Sequence, residues 1–506
     1  MEEINIIDID DIRALDENAE FFGISRIQLM ENAGKGVVDS ILKRMNVKGK
    51  KVLIIAYTGN KGGDGFVAAR HLLYHGAIVN VILLSKPENI STEEARKNYF
   101  ILEKFIKIYC TNDLSNLVEL FENADIIIDA MLGTGARGEP KEPIRTAIEL
   151  CNKSKAFKVA IDIPTGIDPI TGKPSKFTFK ANLTVTHHKL KSCLLSEEAK
   201  SFVGDIDVIS IGIPPELELF AGPGDLKLAY KPRDIYSHKG ENGRVLVVGG
   251  SHRYSGAPAL AALAALRTGI DLSIIAVPYC IANAIRSYSP DLIVQPLPSK
   301  YILDMDSIEL LKEEAKKVDA IIIGMGLGTE DATIITVREF IKYLNEIGKP
   351  VVIDADAIKA LSNYEISFSK AILTPHAGEF YILTKEKLPE ERDEGWRKRI
   401  EIVKKWAQKL NAVILLKAHY DIITNGKKVK IKTIGNPGMT VGGTGDVLAG
   451  IVGGFLSKGI EPFRAAVAAS FLNSYIGDLL ASEIGYHYTA RDIINKIPEV
   501  LKKFGV

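Results

Sequence analysis

The groups in this chain best able to do chemistry are aspartates that end short apolar runs and the glycines clustered just after them. The first cluster is GNKGGDG, Gly59 to Gly65, behind the run Val52–Ile55. The pattern predicts a turn built on Gly59, Gly62, Gly63 and Gly65, with a helix from about Phe66. Glycine lets backbone amides approach an anion closely, and a helix start adds partial positive charge, so a phosphate is the natural guest. A plain tight turn would use the same four glycines. The spacing is neither the dinucleotide GxGxxG register nor a Walker loop, because no Gly-Lys-Ser/Thr follows. Two further clusters share the theme. Asp129 ends a run before Gly133, Gly135 and Gly138, and Asp162 ends another before Pro164-Thr165-Gly166. A lone strand-end aspartate commonly caps a turn. Two of them beside a glycine loop make a phosphate-bearing acid/base site, because ligands of open α/β sheets bind at the carboxyl ends of strands.

A second constellation lies towards the C-terminus. Gly442, Gly443, Thr444 and Gly445 precede a strongly apolar helix with Asp446 in its first turn. Amides at such a start can hold a phosphoryl group in transfer, and an aspartate there can take the proton from an attacking hydroxyl. Around it stand GGSHRYSGAP (Gly249 to Pro258, containing Ala257), GMGLG (Gly324 to Gly328, containing Gly326), Asp354 and Asp356, TPHAGEF with His376 and Glu379, and Lys417. Alone, His376 reads equally well as a satisfied core histidine. His187 and His188 form a pair expected to be exposed, with no cysteine or carboxylate at ligand spacing and hence no metal role. Lys189 beside them gains no role either.

These groups need parallel strands to carry them. Apolar runs of four to six residues alternate with amphipathic stretches on both sides of a Pro/Gly-rich segment, Ile211 to Asp234. The N-terminal runs are Val52–Ile55, Val79–Leu84, Ile126–Ile128, Val159–Ile163 and Leu183–Thr186. Those after the segment are Val245–Val248, Ile274–Val277, Ile321–Ile323, Val351–Ile353 and Val413–Leu416. Short β-branched runs between helical patterns predict parallel sheets covered on both faces, hence two three-layer α/β/α sandwiches. The expected domains are 1–213 and 225–506, with 214–224 as linker, in keeping with a length of 506 residues.

Composition narrows the partners. Lys and Arg total 64 against 63 acidic residues, so no bulk charge points to nucleic acid or to a membrane surface. Cys110, Cys151, Cys193 and Cys280 are scattered without a CxxC pair, which fits a reducing compartment. The start Met1-Glu2-Glu3 lacks the basic and apolar regions of a signal peptide, and no apolar stretch reaches membrane-spanning length. A cytoplasmic protein is expected. Glutamine occurs only at positions 28, 295 and 408 among abundant Lys, Glu and Ile, a bias seen in heat-adapted proteins.

GNKGGDG, DAMLGTGARGE and DIPTGIDP together resemble the NAD(P)H-hydrate epimerase family, over about residues 8 to 213. The resemblance implies a Rossmann-like domain that interconverts the two epimers at the hydrated C6 of the nicotinamide ring. Asp162 would be the acid/base. The substrate would be held by Asn60, Lys61, Gly62, Gly63 and Asp64, and by Gly133, Thr134, Gly135, Ala136, Arg137, Gly138 and Glu139. The family also binds K⁺, whose ligands would be Asp129, Thr165 and the side chain at position 61. The family usually has Asn there and this chain has Lys61, whose ammonium cannot ligate a cation. Either that ammonium replaces the ion and pairs with Asp129, or it points to solvent while its backbone serves the loop.

The order GSxxYxGAP, GMGLG, DADA, TPHxGE and GGTGDVLAG resembles the NAD(P)H-hydrate dehydratase family, across about residues 225 to 501, and its GGTGD the ribokinase-like superfamily. The resemblance implies ADP, with Mg²⁺, phosphorylating the 6-hydroxyl of the S epimer before phosphate is eliminated, with AMP and phosphate as co-products. Asp446 would be the base. Ala257, Gly326, His376 and Asp446 would face the hydrate, and Lys417, Ala418, His419, Tyr420, Asp421 and Gly445 the nucleotide. At position 418 the family commonly has Gly. The resemblance further implies small-molecule partners only (NADHX or NADPHX, and ADP) and a homo-oligomer, a tetramer or larger. The competing reading is a ribokinase-like small-molecule kinase behind a nucleotide-binding or scaffold module.

Overall fold

The computed structural model describes residues 6–392 and 395–506, so Met1-Glu2-Glu3 lies outside the described residues. The chain divides into two compact units, Met1–Leu217 and Glu218–Val506.

The first unit has strands β1 (Ile6–Ile7), β2 (Lys51–Ala56), β3 (Ile78–Leu83), β4 (Ile108–Cys110), β5 (Ile126–Ala130), β6 (Phe157–Ile161), β7 (Leu183–His187), β8 (Leu190–Lys191) and β9 (Asp205–Ile209). Seven form one parallel sheet in the order β4-β3-β2-β5-β6-β7-β9, while β1 and β8 pair separately. Apolar clusters cover both faces: Ile54, Ile128 and Val159 point to one, Leu53, Ile127 and Ala160 to the other. That two-sided burial is why the runs lack polar alternation. Chain order reverses between β2 and β5, which opens a crevice where the glycine clusters after those strands lie.

The helix after β2 begins at Asn60, not near Phe66, and runs to Tyr74. Its glycines are helical, and they serve close packing, not a left-handed turn. A Cβ at Gly62 would overlap the Tyr57 carbonyl, and one at Gly65 would sit 2.6 Å from the Ala130 Cβ. Low glycine propensity argued for a loop, and the need to seat the helix against the sheet overrides it.

The second unit contains β10 (Arg244–Val248), β11 (Leu272–Pro278), β12 (Ile293–Leu297), β13 (Ala320–Ile323), β14 (Val351–Ile353), β15 (Ala371–Leu373), β16 (Val413–Leu416), β17 (Asp421–Thr424) and β18 (Val429–Lys432). The sheet order is β12-β11-β10-β13-β14-β15-β16-β17-β18, parallel as far as β16 and antiparallel beyond. The order reverses between β10 and β13, whose following loops are GGSHRYSG and GMGLG. The Pro/Gly-rich segment is not bare coil: a helix spans Pro223–Leu228, and the Ala221 amide donates to the Ile431 carbonyl at 2.8 Å.

The helix Thr444–Ser457 packs on Gly256–Arg267 through small residues. A Cβ at Gly450 would overlap the Ala261 carbonyl and fall 2.8 Å from the Ala264 Cβ. The obstacle is backbone, so it cannot rotate aside. Gly450→Val is therefore expected to destabilise the second unit by about 1–3 kcal/mol, the usual cost of overpacking. Urea unfolding followed by a probe in that unit checks this, and an unchanged midpoint refutes the packing argument.

Candidate active sites

In the first unit the carboxyl ends of β2, β5 and β6 bring three predicted groups together. Asp129 is fully buried and accepts from the Met131 amide (3.1 Å), the Thr165 amide (2.8 Å) and the Thr165 hydroxyl (2.6 Å). Lys61, in the first turn of its helix, points inward. Its Nζ lies 2.9 Å from Asp129 Oδ2, 3.0 Å from Leu132 O, 2.7 Å from Ile163 O and 3.3 Å from Thr165 Oγ1. Four oxygens thus surround one ammonium, and the solvent-facing orientation of Lys61 is ruled out. Burial pulls the Lys61 pKa down and Asp129 opposes that shift.

Asp162 follows β6 directly and has φ of +62°, a left-handed conformation uncommon outside glycine. Its Oδ1 accepts from Lys191 Nζ at 2.5 Å, Thr186 Oγ1 at 3.2 Å and the His187 amide at 3.3 Å. Burial alone would raise its pKa, yet Lys191 and the hydrogen bonds hold it well below the usual carboxylate range. Asp162 is an anion at neutral pH.

The neighbouring histidine corrects an expectation. His187 is mostly buried, with Nδ1 3.9 Å from Asp162 Oδ1 and burial lowering its pKa to about 4, so it is a neutral wall of the site and not half of an exposed pair. Lys191 went unnoticed in the sequence. It lies in HHKLK, where nothing distinguishes it from Lys189, and only the return of β8 beside the end of β7 turns it inward.

The two glycine clusters differ in exposure. Lys61 to Asp64 are buried, whereas Gly135, Arg137, Gly138 and Glu139 are open to solvent. Asn60 is exposed at the helix start, where the first amides have no intrahelical acceptor. Thr134 and Ala136 line the loop between, and the Arg13 guanidinium donates to the Thr134 carbonyl. Asp64 is pushed well above its ordinary pKa by burial and by Asp162 and Asp16.

In the second unit Gly443, with φ of +96°, starts the helix that carries Gly445 and Asp446 in its first turn. Lys417, just past β16, is 2.8 Å from Asp354 Oδ1 and 4.0 Å from Glu379 Oε2, and the Thr374 hydroxyl holds Asp354 at 2.7 Å. A Cβ at Gly445 would lie 3.5 Å from Lys417 Nζ, so the ammonium faces the helix start. Burial and Asp354 raise Asp446 to about 7 while Lys417 opposes them.

His376 is exposed, not a core residue. Its Nδ1 accepts from the Gly378 and Glu379 amides and so caps the helix Ala377–Thr384. Gly326, with φ of +66°, has Tyr254 and Ala257 packed over it: a Cβ there would lie 2.7 Å from the Tyr254 Cβ and 3.8 Å from the Ala257 Cβ.

A cavity of about 290 Å³ is lined by Lys417, Ala418, His419, Asp421, Gly445 and Asn473, among others. Tyr420 lines a neighbouring hollow instead, 5.4 Å from the Trp396 ring. Ala418 has no left-handed backbone, and its amide donates to Asp421 Oδ1 at 2.9 Å, so the missing glycine imposes no strain.

Known proteins match both halves. A family model described as YjeF-related protein N-terminus covers residues 26–193, and one described as NAD(P)H-hydrate dehydratase covers residues 245–499. The bifunctional NAD(P)H-hydrate repair enzyme Nnr of Pyrobaculum aerophilum is 44% identical over 97% of this chain and 96% of its own. Its counterpart in Archaeoglobus fulgidus is 45% identical over 97% of each chain. Among solved structures, a hypothetical protein of Streptococcus mutans is 29% identical, covering 57% of this chain and 100% of its own with a TM-score of 0.50. The chain belongs to the bifunctional NAD(P)H-hydrate repair enzymes, and it carries an epimerase domain and a dehydratase domain in one polypeptide.

Proposed function

We propose that the crevice of the first unit epimerises NADHX and NADPHX at C6, and that the second dehydrates the S epimer at the expense of ADP. The observation that carries this reading is the Asp446 carboxyl in the first turn of a glycine-started helix, beside the Lys417–Asp354 pair. The assigned domains are 1–213 and 225–506. Action in the cytosol as a homo-oligomer, a tetramer or larger, belongs to the same reading, and the four free cysteines are compatible with a reducing compartment.

In the dehydratase, Asp446 takes the proton of the 6-hydroxyl as that oxygen attacks the β-phosphorus of ADP. The amides from Gly442 to Gly445 hold the phosphoryl oxygens, and Lys417 offsets their charge. AMP leaves. Phosphate then departs from C6 with the C–O electron pair, the C5 proton passes to solvent water, and the C5–H pair forms the C5–C6 double bond. Ala257, Gly326 and His376 border the hydrate, while Ala418, His419, Asp421 and Gly445 border the nucleotide, with Tyr420 behind His419. Mg²⁺ typically uses one or two carboxylates plus substrate phosphates; Asp354 and Glu379 already face the Lys417 ammonium, so the ion would be held mainly by the nucleotide phosphates. When bound it neutralises phosphate charge.

In the epimerase, Asp162 is the acid/base, and the substrate lies along Asn60 to Asp64 and Gly133 to Glu139, with Arg137 and Arg13 available to its phosphates. A K⁺ ion does not fit beside Asp129 and Thr165, since the Lys61 ammonium already takes the oxygens that would bind it. Lys61 is a tethered cation in that place.

Absorbance at 340 nm tests the whole reading, on mixing the protein with both NADHX epimers, Mg²⁺ and ADP. Recovery of all the NADH, beyond the S fraction and spontaneous epimerisation, is the expected result. No recovery with ADP or ATP would move the assignment to a small-molecule kinase.

Asp446 must be ionised to act as base, so the dehydratase rate is expected to fall as pH drops through about 7. Asp446→Asn should lower kcat by about 10²–10⁴-fold, the span of general-base effects. An unchanged rate would remove Asp446 from the mechanism.

Replacing KCl by choline chloride should leave epimerisation unaffected. Lys61→Asn, which vacates the oxygen cage, should make the rate depend on K⁺. Potassium dependence in the parent chain would refute the tethered-cation assignment.

A further inference from the structure

The long helix Pro462–Ile484 belongs to none of the motifs described above, yet it walls the cavity beside Lys417 and Gly445. Ser470, Asn473, Ser474, Gly477 and Asp478 share one of its faces by helical spacing. The Ser470 hydroxyl donates to Asp421 Oδ2 at 2.7 Å. Asp478 accepts from the Gly435 amide and from Asn436 Nδ2, both at 2.9 Å. A Cβ at Gly435 would lie 3.5 Å from the Ser474 Cβ, and one at Gly477 would overlap the Met439 sulphur. Asp421, Gly435, Asn436 and Met439 all line the cavity, and so does Asn473, at the centre of this face.

Ser470 and Asp478 have partners. Asn473 is only 5% exposed, and no donor among the described residues reaches its Oδ1. Asparagine is a poor helix former, and an amide buried without a partner is costly. The torsion that turns the amide plane is soft, so the oxygen can swing towards the cavity that the residue lines. A donor carried by a guest there would satisfy it.

The lining of the cavity is graded. Lys417 and the helix start at Thr444 and Gly445 suit phosphate. Leu448, one turn farther along that helix, joins Pro437 and Met439 to give apolar walls for a flat ring. Asn473 adds a polar edge. Adenine presents a 6-amino donor beside the N7 acceptor, and an asparagine amide pairs with both at once. A 6-oxopurine presents two acceptors there, and its oxygen would oppose Oδ1.

We propose that Asn473 selects the base of the nucleotide, with Oδ1 accepting from the 6-amino group of adenine and Nδ2 donating to N7. The inference rests on the nucleotide reading of this cavity and names the residue that distinguishes adenine from a 6-oxopurine.

The test compares ADP with inosine diphosphate, in which an oxygen replaces the 6-amino group. Initial rates of NADH recovery at 340 nm are measured with the full chain, S-NADHX and Mg²⁺, and nucleotide binding by calorimetry without NADHX. The parent should favour ADP by about tenfold or more in kcat/KM and in affinity. Asn473→Leu is close in size and favours the helix. It should raise KM for ADP by about tenfold, leave that for inosine diphosphate within about threefold, and so erase the preference. A merely structural role would weaken both nucleotides alike. A parent indifferent to the base or favouring inosine diphosphate overturns the proposal, and so does a preference that survives in Asn473→Leu. Should that variant not fold, Asn473→Ala takes its place. In the parent, 7-deaza-ADP, which lacks N7, should bind about three- to tenfold more weakly than ADP, and equal binding overturns the pairing. A parent that binds ADP but recovers no NADH defeats the dehydratase reading, while the binding data still decide the role of Asn473. An active parent whose preference survives the substitution defeats only that role.

Discussion

Each site depends on a buried or largely buried lysine set against an aspartate at the end of a parallel strand. Lys61 meets Asp129, Lys191 meets Asp162, and Lys417 meets Asp354. A lone carboxylate at such a depth would protonate or draw in water, since desolvation penalises the charged form. Removing one partner of a buried pair typically costs about 3–5 kcal/mol, because the other charge is left uncompensated. The pairs therefore set which groups remain ionised where substrates bind, and the glycine loops are arranged around them.

Parallel sheets make such pairs possible. A strand buried on both faces ends abruptly, with its last carbonyls and the next side chain directed into one crevice. Asp162 and Asp354 follow β6 and β14 directly, and Asp129 is the penultimate residue of β5. The lysines arrive from elsewhere: Lys61 from a helix start, Lys191 from a strand folded back beside β7, and Lys417 from a strand end two places along the sheet. Sheet topology, rather than sequence proximity, matches each cation to its anion.

That division explains what could be read from the residues alone. The ten apolar runs all became strands, because a buried parallel strand is a local signal. The glycine clusters, Asp129, Asp162 and Asp446 were equally visible, since their spacing sets their geometry. The helix start at Asn60 is not legible locally, because the reason for its glycines is contact with Tyr57 and Ala130, which no local pattern contains. His187 and Lys191 were hidden for a similar reason. In HHKLK any of four polar side chains could face the site, and the inward turn of Lys191 rests on β8 pairing with β1 beside the end of β7. Edge strands such as β4, β12 and β18 are partly exposed, and short or interrupted by polar residues and proline, so no continuous buried apolar run marks them.

The same pairing accounts for two aspartates of opposite character in one protein. Asp162 has Lys191 at 2.5 Å and stays ionised far into acid. Asp446 has its nearest cation, Lys417, already bound to Asp354, so it feels burial and a neighbouring negative charge more than attraction. Its affinity for a proton therefore lies near neutrality, where a base can take a proton from a hydroxyl and hand it on again. A carboxylate clamped by its own lysine stabilises developing positive charge and holds a proton weakly, which suits a step through a cationic ring. One that shares its lysine with a second carboxylate holds a proton well, which suits attack by an alcohol on phosphorus. Burial is common to both, so the difference in chemistry follows from how many carboxylates each lysine must serve.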